Sequence, residues 1–160
     1  MTNDETPPTL VPTSGVRFED QVRVIRAYVV LSNNGTEPVH LKEVKGITRL
    51  ARSQISGLNS YMVQLGLLEH VSRGHYKPTS AAVNLCSSAP GEEDFSQVTE
   101  VLEKSALFSL VQQYLRVHGG GSSSGLIEYI MEKAGTGETY RVQSAVEWLI
   151  RAGLVERDKE

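Results

Sequence analysis

The chain has 160 residues, a formal charge of −3 and a single cysteine, Cys86. One cysteine excludes an internal disulfide framework and suits a reducing cytoplasm. The longest apolar stretches, at 28–31 and 65–68, are far too short to cross a membrane, and no charged-then-apolar leader opens the sequence. We therefore expect a cytoplasmic protein that does not bind membranes.

The charge is unevenly divided along the chain. Residues 17–86 hold nine basic and five acidic side chains, a balance of +4, whereas residues 87–160 hold seven basic and twelve acidic ones, a balance of −5. A basic surface attracts the phosphates of nucleic acid and an acidic surface repels them. The two halves are therefore predicted to have different partners, with DNA as the partner of the first.

Periodicity predicts the elements of the first half. Residues 1–16, with three prolines among Thr, Ser and Asn, are expected to form a flexible N-terminal arm. Apolar residues spaced by three and four then predict an amphipathic helix over 17–32. The elements predicted after it are an extended segment at 38–40, helices at 41–48 and 52–65, hairpin strands at 67–71 and 75–77, and a short helix at 78–85.

A linker is predicted at 87–96, because the run Ser-Ser-Ala-Pro-Gly-Glu-Glu-Asp has little to bury. The second unit, 97–160, is expected to open with a helix that carries Leu107, Val111 and Leu115. The elements predicted after it are a flexible loop at 119–125, helices at 126–133 and 140–152, and a strand at 154–157. This strand has no predicted partner, so the second unit lacks a complete hairpin.

One pattern occurs twice, at 52–69 and at 140–156. Its apolar pairs are Ile55 with Val142, Leu58 with Ala145, Tyr61 with Trp148, and Met62 with Leu149. Each copy predicts a helix with one apolar face that ends at a glycine, Gly66 or Gly153. Two units of this size are each only marginally stable, so we expect them to pack together or to dimerise.

The first copy reads Arg52-Ser53-x-Ile55-Ser56-x-Leu58, then Met62 and Gly66-Leu67-Leu68-Glu69. This motif resembles the recognition helix and wing entry of winged helix-turn-helix regulators of the MarR type. The resemblance implies a mainly α fold with a small β-hairpin, arranged as a tandem winged helix-turn-helix. Domain 1 (17–86) would bind DNA, and domain 2 (97–160), without a full wing, would serve dimerisation or partner docking. Gly57 departs from the family pattern, which commonly has an arginine there.

A recognition helix needs side chains that reach base edges and phosphates. Arg can pair with guanine, and Gln or Asn with adenine. Basic residues on the preceding helix would contact phosphates, and the hairpin turn would enter the minor groove. The predicted DNA-binding residues are Lys42, Lys45, Arg49, Arg52, Ser53, Gln54, Ser56, Asn59, Arg73, His75 and Lys77.

Two functions are compatible with this sequence. The first is a transcriptional regulator that binds double-stranded DNA, associates with the nucleoid, and forms a homodimer or binds a protein partner through domain 2. The alternative is a tandem winged-helix subunit of a larger complex that binds proteins and reads no DNA sequence. The basic face of domain 1 favours DNA. No nucleophile triad, metal-ligand spacing or phosphate-binding loop is legible, so we expect no enzyme, catalytic residue, metal or cofactor.

Overall fold

The structure is a computed structural model that describes residues 11–12 and 15–156. This part is mainly helical, with eight helices and one three-stranded antiparallel sheet. In chain order the elements are α1 (Phe18–Leu31), β1 (Val39–His40), α2 (Leu41–Thr48), α3 (Arg52–Gln64), β2 (Leu68–Ser72), β3 (His75–Pro78), α4 (Ser80–Leu85), α5 (Ser96–Glu103), α6 (Ala106–His118), α7 (Ser123–Ala134) and α8 (Thr139–Arg151). None of these helices is long and apolar enough to span a membrane.

The elements predicted for residues 17–86 are all present, with ends that differ by at most two residues. The sheet has the order β1-β3-β2, so the short strand before α2 pairs with the returning strand of the hairpin. Helices α1, α2 and α3 bury their apolar stripes against one another, and Ile25, Val44 and Ile55 have no solvent exposure. The hairpin turns at Gly74, whose φ of +76° lies in the left-handed region.

The second unit differs from its prediction at three places. Helix α5 was not predicted, because its apolar residues span barely two turns and it follows an acidic, proline-containing segment. Helix α7 starts at Ser123, inside the predicted loop, since the Ser122 side chain accepts a hydrogen bond from the Gly125 N–H (3.1 Å). The strand predicted at 154–157 is wrong for residues 154–156, which form no strand; an isolated strand without a hydrogen-bonding neighbour is not stable. Arg157 lies outside the described residues.

Both copies of the repeated pattern are helices, α3 and α8, with the predicted faces buried. All eight aligned apolar residues are at most 4% exposed. The glycines after both helices, Gly66 and Gly153, have φ of +77° and +79°, as expected for a residue that ends a helix in the left-handed conformation.

The segments predicted as two domains share one hydrophobic core, in which α1 packs against α8. Trp148 is fully buried, and its indole Nε1–H donates to Oε1 of the buried Gln21 (2.7 Å). The Gln21 amide in turn donates to the Val16 carbonyl (2.8 Å), and the Phe18 ring packs edge-on against the indole (5.0 Å between centroids). Val11 and Val16, which lie in the predicted arm, are also buried, at 5% and 2% exposure.

The segment between α4 and α5 contains no helix or strand, but hydrogen bonds and an ion pair hold it against α1. Arg26 donates to the Cys86 and Ser88 carbonyls (3.3 and 3.1 Å) and pairs with the Glu93 carboxylate (2.7 Å). Just after it, Phe95 packs against Trp148 (5.9 Å between ring centroids). The connection between the units therefore has a defined path, although its composition is that of a linker.

Candidate nucleic-acid interface

The start of α2 and the hairpin turn meet at one surface of the first unit. The Leu41 N–H donates to the Gly74 carbonyl (3.0 Å), and the rings of His40 and His75 lie edge-to-face, 4.8 Å apart. A Cβ atom on Gly74 would come within 2.8 Å of His40 Nε2. Glycine at this position therefore allows the turn to close onto α2.

His40 also joins this surface to the start of α3. Desolvation lowers the pKa of His40 below its usual value, and the nearby His75, Lys42 and Arg52 lower it further. The neutral ring caps α2, because its Nδ1 accepts the Lys42 N–H (3.1 Å), and the Glu43 carboxylate accepts the His40 N–H (3.0 Å). Sequence reasoning missed His40, although the His-x-x-Glu spacing before an apolar helix resembles a capping box.

Five of the predicted cations are exposed and lie on α2 or just after it, at the start of α3 or in the hairpin turn. Within the described residues, none of them forms an ion pair: they are Lys42, Lys45, Arg49, Arg52 and Arg73. A sixth, Lys77, is half-buried on β3 opposite Glu69. A group of unpaired cations keeps its charge directed to solvent, where phosphates can bind it.

The arginines on α1 and at its start form ion pairs. Arg17 and Arg23 both pair with Asp20 (3.3 and 2.7 Å). Arg23 also donates to the Thr48 carbonyl (2.9 Å), at the end of α2. The following residue, Arg49, adopts a left-handed φ of +63° and ends the helix with its side chain exposed. Among the described residues, the ion-paired arginines of this unit thus lie on α1 or at its start, whereas the exposed cations on or just after α2, at the start of α3 and in the hairpin turn form no ion pair.

The first half of α3 carries the polar residues predicted to read bases. Arg52, Ser53 and Ser56 are exposed, as this role requires. Gln54 is half-buried, and its Oε1 accepts the Ala51 N–H (2.9 Å) at the start of the helix. The Gln54 carbonyl oxygen is therefore occupied in capping α3, and a contact to adenine through that oxygen would require the cap to open.

Asn59 does not reach this face, so its prediction as a DNA contact is wrong. The side chain is fully buried, and its amide donates to the Tyr28 hydroxyl on α1 (2.9 Å). Its Oδ1 has no hydrogen-bond partner among the described residues. The reason lies in the helix period, because Asn59 follows Ile55 by four residues and therefore lies on the same buried stripe.

The hairpin contributes one fully exposed candidate. Arg73 lies exposed in the turn, whereas His75 is half-buried, with Nδ1 3.1 Å from the Arg73 carbonyl oxygen. Because its ring packs on His40, His75 supports the shape of the turn as well as lining the surface.

The corresponding face of α8 has no such group of free cations. Arg141 donates twice to the Glu138 carboxylate (both 3.1 Å), and Arg151 pairs with Glu147 (2.7 Å). The basic residues of α8 thus neutralise carboxylates on their own helix or at its start.

The described residues were also searched for a reactive thiol and for a metal site. Burial raises the pKa of the Cys86 thiol to about 11 despite the nearby Arg26, so the thiol stays protonated at neutral pH. Within 11–12 and 15–156, no three His, Cys, Asp or Glu side chains are grouped to hold a metal ion.

Compared with known proteins, the chain matches no family model, no curated protein and no solved structure.

Proposed function

We propose that this protein is a tandem winged-helix protein whose first unit binds duplex DNA, and that it acts as a transcriptional regulator. The element order α1-β1-α2-α3-β2-β3 and the sheet order β1-β3-β2 agree with the winged-helix resemblance of the sequence. The observation that carries the proposal is the group of five exposed, unpaired cations defined above. They lie on α2 or just after it, at the start of α3 and in the hairpin turn, on a chain whose total charge is negative.

In the proposed complex, the first half of α3 enters the major groove. Arg52, Ser53 and Ser56 contact base edges from the exposed side of the helix. Lys42 and Lys45 on α2 lie beside the phosphate backbone, where they fix the position of the helix without reading sequence.

Arg49 and Arg73 extend the same face on either side. Arg49 follows α2 and contacts a phosphate, whereas Arg73 projects from the hairpin turn toward the adjacent minor groove. Arginine suits that groove because its narrow walls concentrate negative potential.

The second unit serves protein contacts in this proposal, as a dimerisation or partner-docking module. Its half of the chain has a net charge of −5, and the α8 arginines are paired. A two-fold dimer would place two α3 helices about 34 Å apart, one turn of DNA. The alternative, a protein-binding subunit without DNA contacts, would use the same second unit.

A salt titration tests the DNA-binding proposal. Binding of the purified chain to a mixed-sequence duplex is measured by fluorescence anisotropy at two salt concentrations, for the wild type, Arg52→Ala and Arg73→Ala. We expect binding to weaken steeply with salt, and both substitutions to weaken it, because each removes a positive charge that lies against the DNA.

Arg116→Ala is the matched control, since it removes one exposed arginine from α6 in the second unit. It should leave affinity and salt slope unchanged. No binding of the wild type at low salt would overturn the DNA proposal and favour the protein-binding alternative. Equal losses in all three variants would show that only total charge matters.

A further inference from the structure

A cleft of about 420 Å³ lies where the last turn of α3 meets the α5–α6 junction. Its lining is mainly apolar, with Leu65 from α3, Val101 and Leu102 from α5, and Leu107 from α6. Binding sites for small molecules are typically mainly apolar clefts of about 300–1,000 Å³ with a few polar groups. The cleft therefore has the size and lining of a ligand site.

Tyr61 supplies the cleft with a polar group. The residue lines the cleft and is only 4% exposed, and its hydroxyl makes no hydrogen bond with any described residue. Burial alone raises the pKa of Tyr61, so the hydroxyl stays protonated and can donate. The Tyr61 hydroxyl is not among the fully buried atoms without a partner, so its oxygen is accessible and can donate to a molecule bound in the cleft.

The other buried aromatic side chains use their polar groups within the protein. The Tyr28 hydroxyl accepts a hydrogen bond from the Asn59 amide. Trp148, which occupies the position aligned with Tyr61 in the repeat, donates to Gln21. Tyr61 is thus the member of the aligned pair whose polar group faces a cleft instead of a protein acceptor.

The mouth of the cleft carries opposite charges. Glu100 and Lys104, both from α5 or its C-cap, lie on the lining, so the mouth does not select for one sign of ligand charge. The Ser105 hydroxyl, also on the lining, already donates to the Leu102 carbonyl (2.6 Å) and accepts the Phe108 N–H (3.1 Å). These features favour an uncharged ligand.

We propose that this cleft binds a small, uncharged, mainly apolar molecule that carries a hydrogen-bond-accepting oxygen. The apolar body contacts Leu65, Val101 and Leu107, and the oxygen accepts the Tyr61 hydroxyl proton. The site involves none of the residues assigned to DNA binding, so this proposal can be tested independently of the proposed function.

The test uses 6-propionyl-2-(dimethylamino)naphthalene, an uncharged fluorophore with one carbonyl acceptor whose emission shifts to the blue on leaving water. We expect saturable binding to a single site in the wild-type protein. Tyr61→Phe, which removes only the hydroxyl, should weaken binding about fivefold, the typical effect of one hydrogen bond. The 6-propyl analogue, which lacks the carbonyl, should bind wild type and Tyr61→Phe equally.

Two further variants locate the site. Ala106→Trp places an indole at the exposed first position of α6, on the lining of the cleft, and should abolish saturable binding. Tyr140→Phe makes the same chemical change at a 63% exposed position on α8 and should leave binding unchanged. Circular dichroism verifies that each variant is folded. The proposal is overturned if wild type shows no saturable binding, or if Tyr61→Phe binds the carbonyl probe as tightly as wild type does.

Discussion

Helices α3 and α8 carry the same sequence pattern but differ in what their polar faces do. Both bury four aligned apolar residues and end at a left-handed glycine. The cations on or just after α2, at the start of α3 and in the hairpin turn are exposed and form no ion pair with any described residue, whereas the α8 arginines pair with carboxylates at the start of the helix or on it. The apolar pattern therefore determines the helix and its buried face, while nearby charges determine what the other face can bind.

The segments that follow the two helices reinforce this difference. The chain after Gly66 forms β2 and β3, and their turn carries Arg73 beside the start of α2. After Gly153 the described residues form no strand. Helix α8 instead contacts α1 through Trp148, so it connects the two units.

Substitution of Trp148 tests whether α8 holds the two halves of the chain together, and it should change stability most. Trp148→Ala removes a fully buried indole and leaves Gln21 Oε1 without its donor. We expect the free energy of unfolding to fall by about 3–5 kcal/mol, as for other buried aromatic truncations. Urea denaturation measures this change. Tyr140→Ala on the same helix, where the tyrosine is 63% exposed, is the control and should change stability by less than about 0.5 kcal/mol.

An intermediate effect tests the correction at Asn59. Asn59→Ala leaves the buried Tyr28 hydroxyl without its partner, and we expect a loss of about 1–3 kcal/mol in unfolding free energy. DNA affinity of the folded variant should stay at the wild-type value, because the side chain does not reach the surface. Ser56→Ala, an exposed change on the same helix, should show the reverse: stability within about 0.5 kcal/mol of wild type and weaker DNA binding. Weaker DNA binding by Asn59→Ala with unchanged stability would restore the original prediction.

The smallest expected effect concerns the connection between the units. Burial acts to raise the pKa of Glu93, but hydrogen bonds from the Gly91 N–H and the Arg26 guanidinium outweigh it and hold the pKa below its usual value. The charged carboxylate therefore stabilises the fold above the unfolded pKa of about 4.3, and this contribution is lost as pH falls through the lower folded pKa.

Denaturation at a series of pH values measures this contribution. Glu93→Gln should lower stability at pH 7 by about 1 kcal/mol or less and should flatten the decline below pH 4.5. Glu92→Gln removes a neighbouring exposed carboxylate and should leave both features as in wild type. A Glu93→Gln profile parallel to that of wild type would show that the pair with Arg26 adds nothing.

Local signals made the first unit predictable from its sequence. The amphipathic periods of α1 and α3, the turn at Ser72–Gly74 and the exposed cations follow from spacing and residue type alone. Other features depend on contacts between distant residues: Trp148 and Gln21 are 127 positions apart. Helix α5 has too few apolar residues to be recognised without its neighbours, and the cleft beside it was therefore not predicted.

The most direct test of the central claim is a map of backbone amide shifts in ¹⁵N-labelled protein as a short duplex is added. We expect the largest shifts at the start of α2, in the first half of α3 and at the hairpin turn around Arg73. Amides of α6, α7 and the exposed face of α8 should change little. Shifts concentrated on α8, or no shifts at low salt, would contradict the assignment of DNA binding to the first unit.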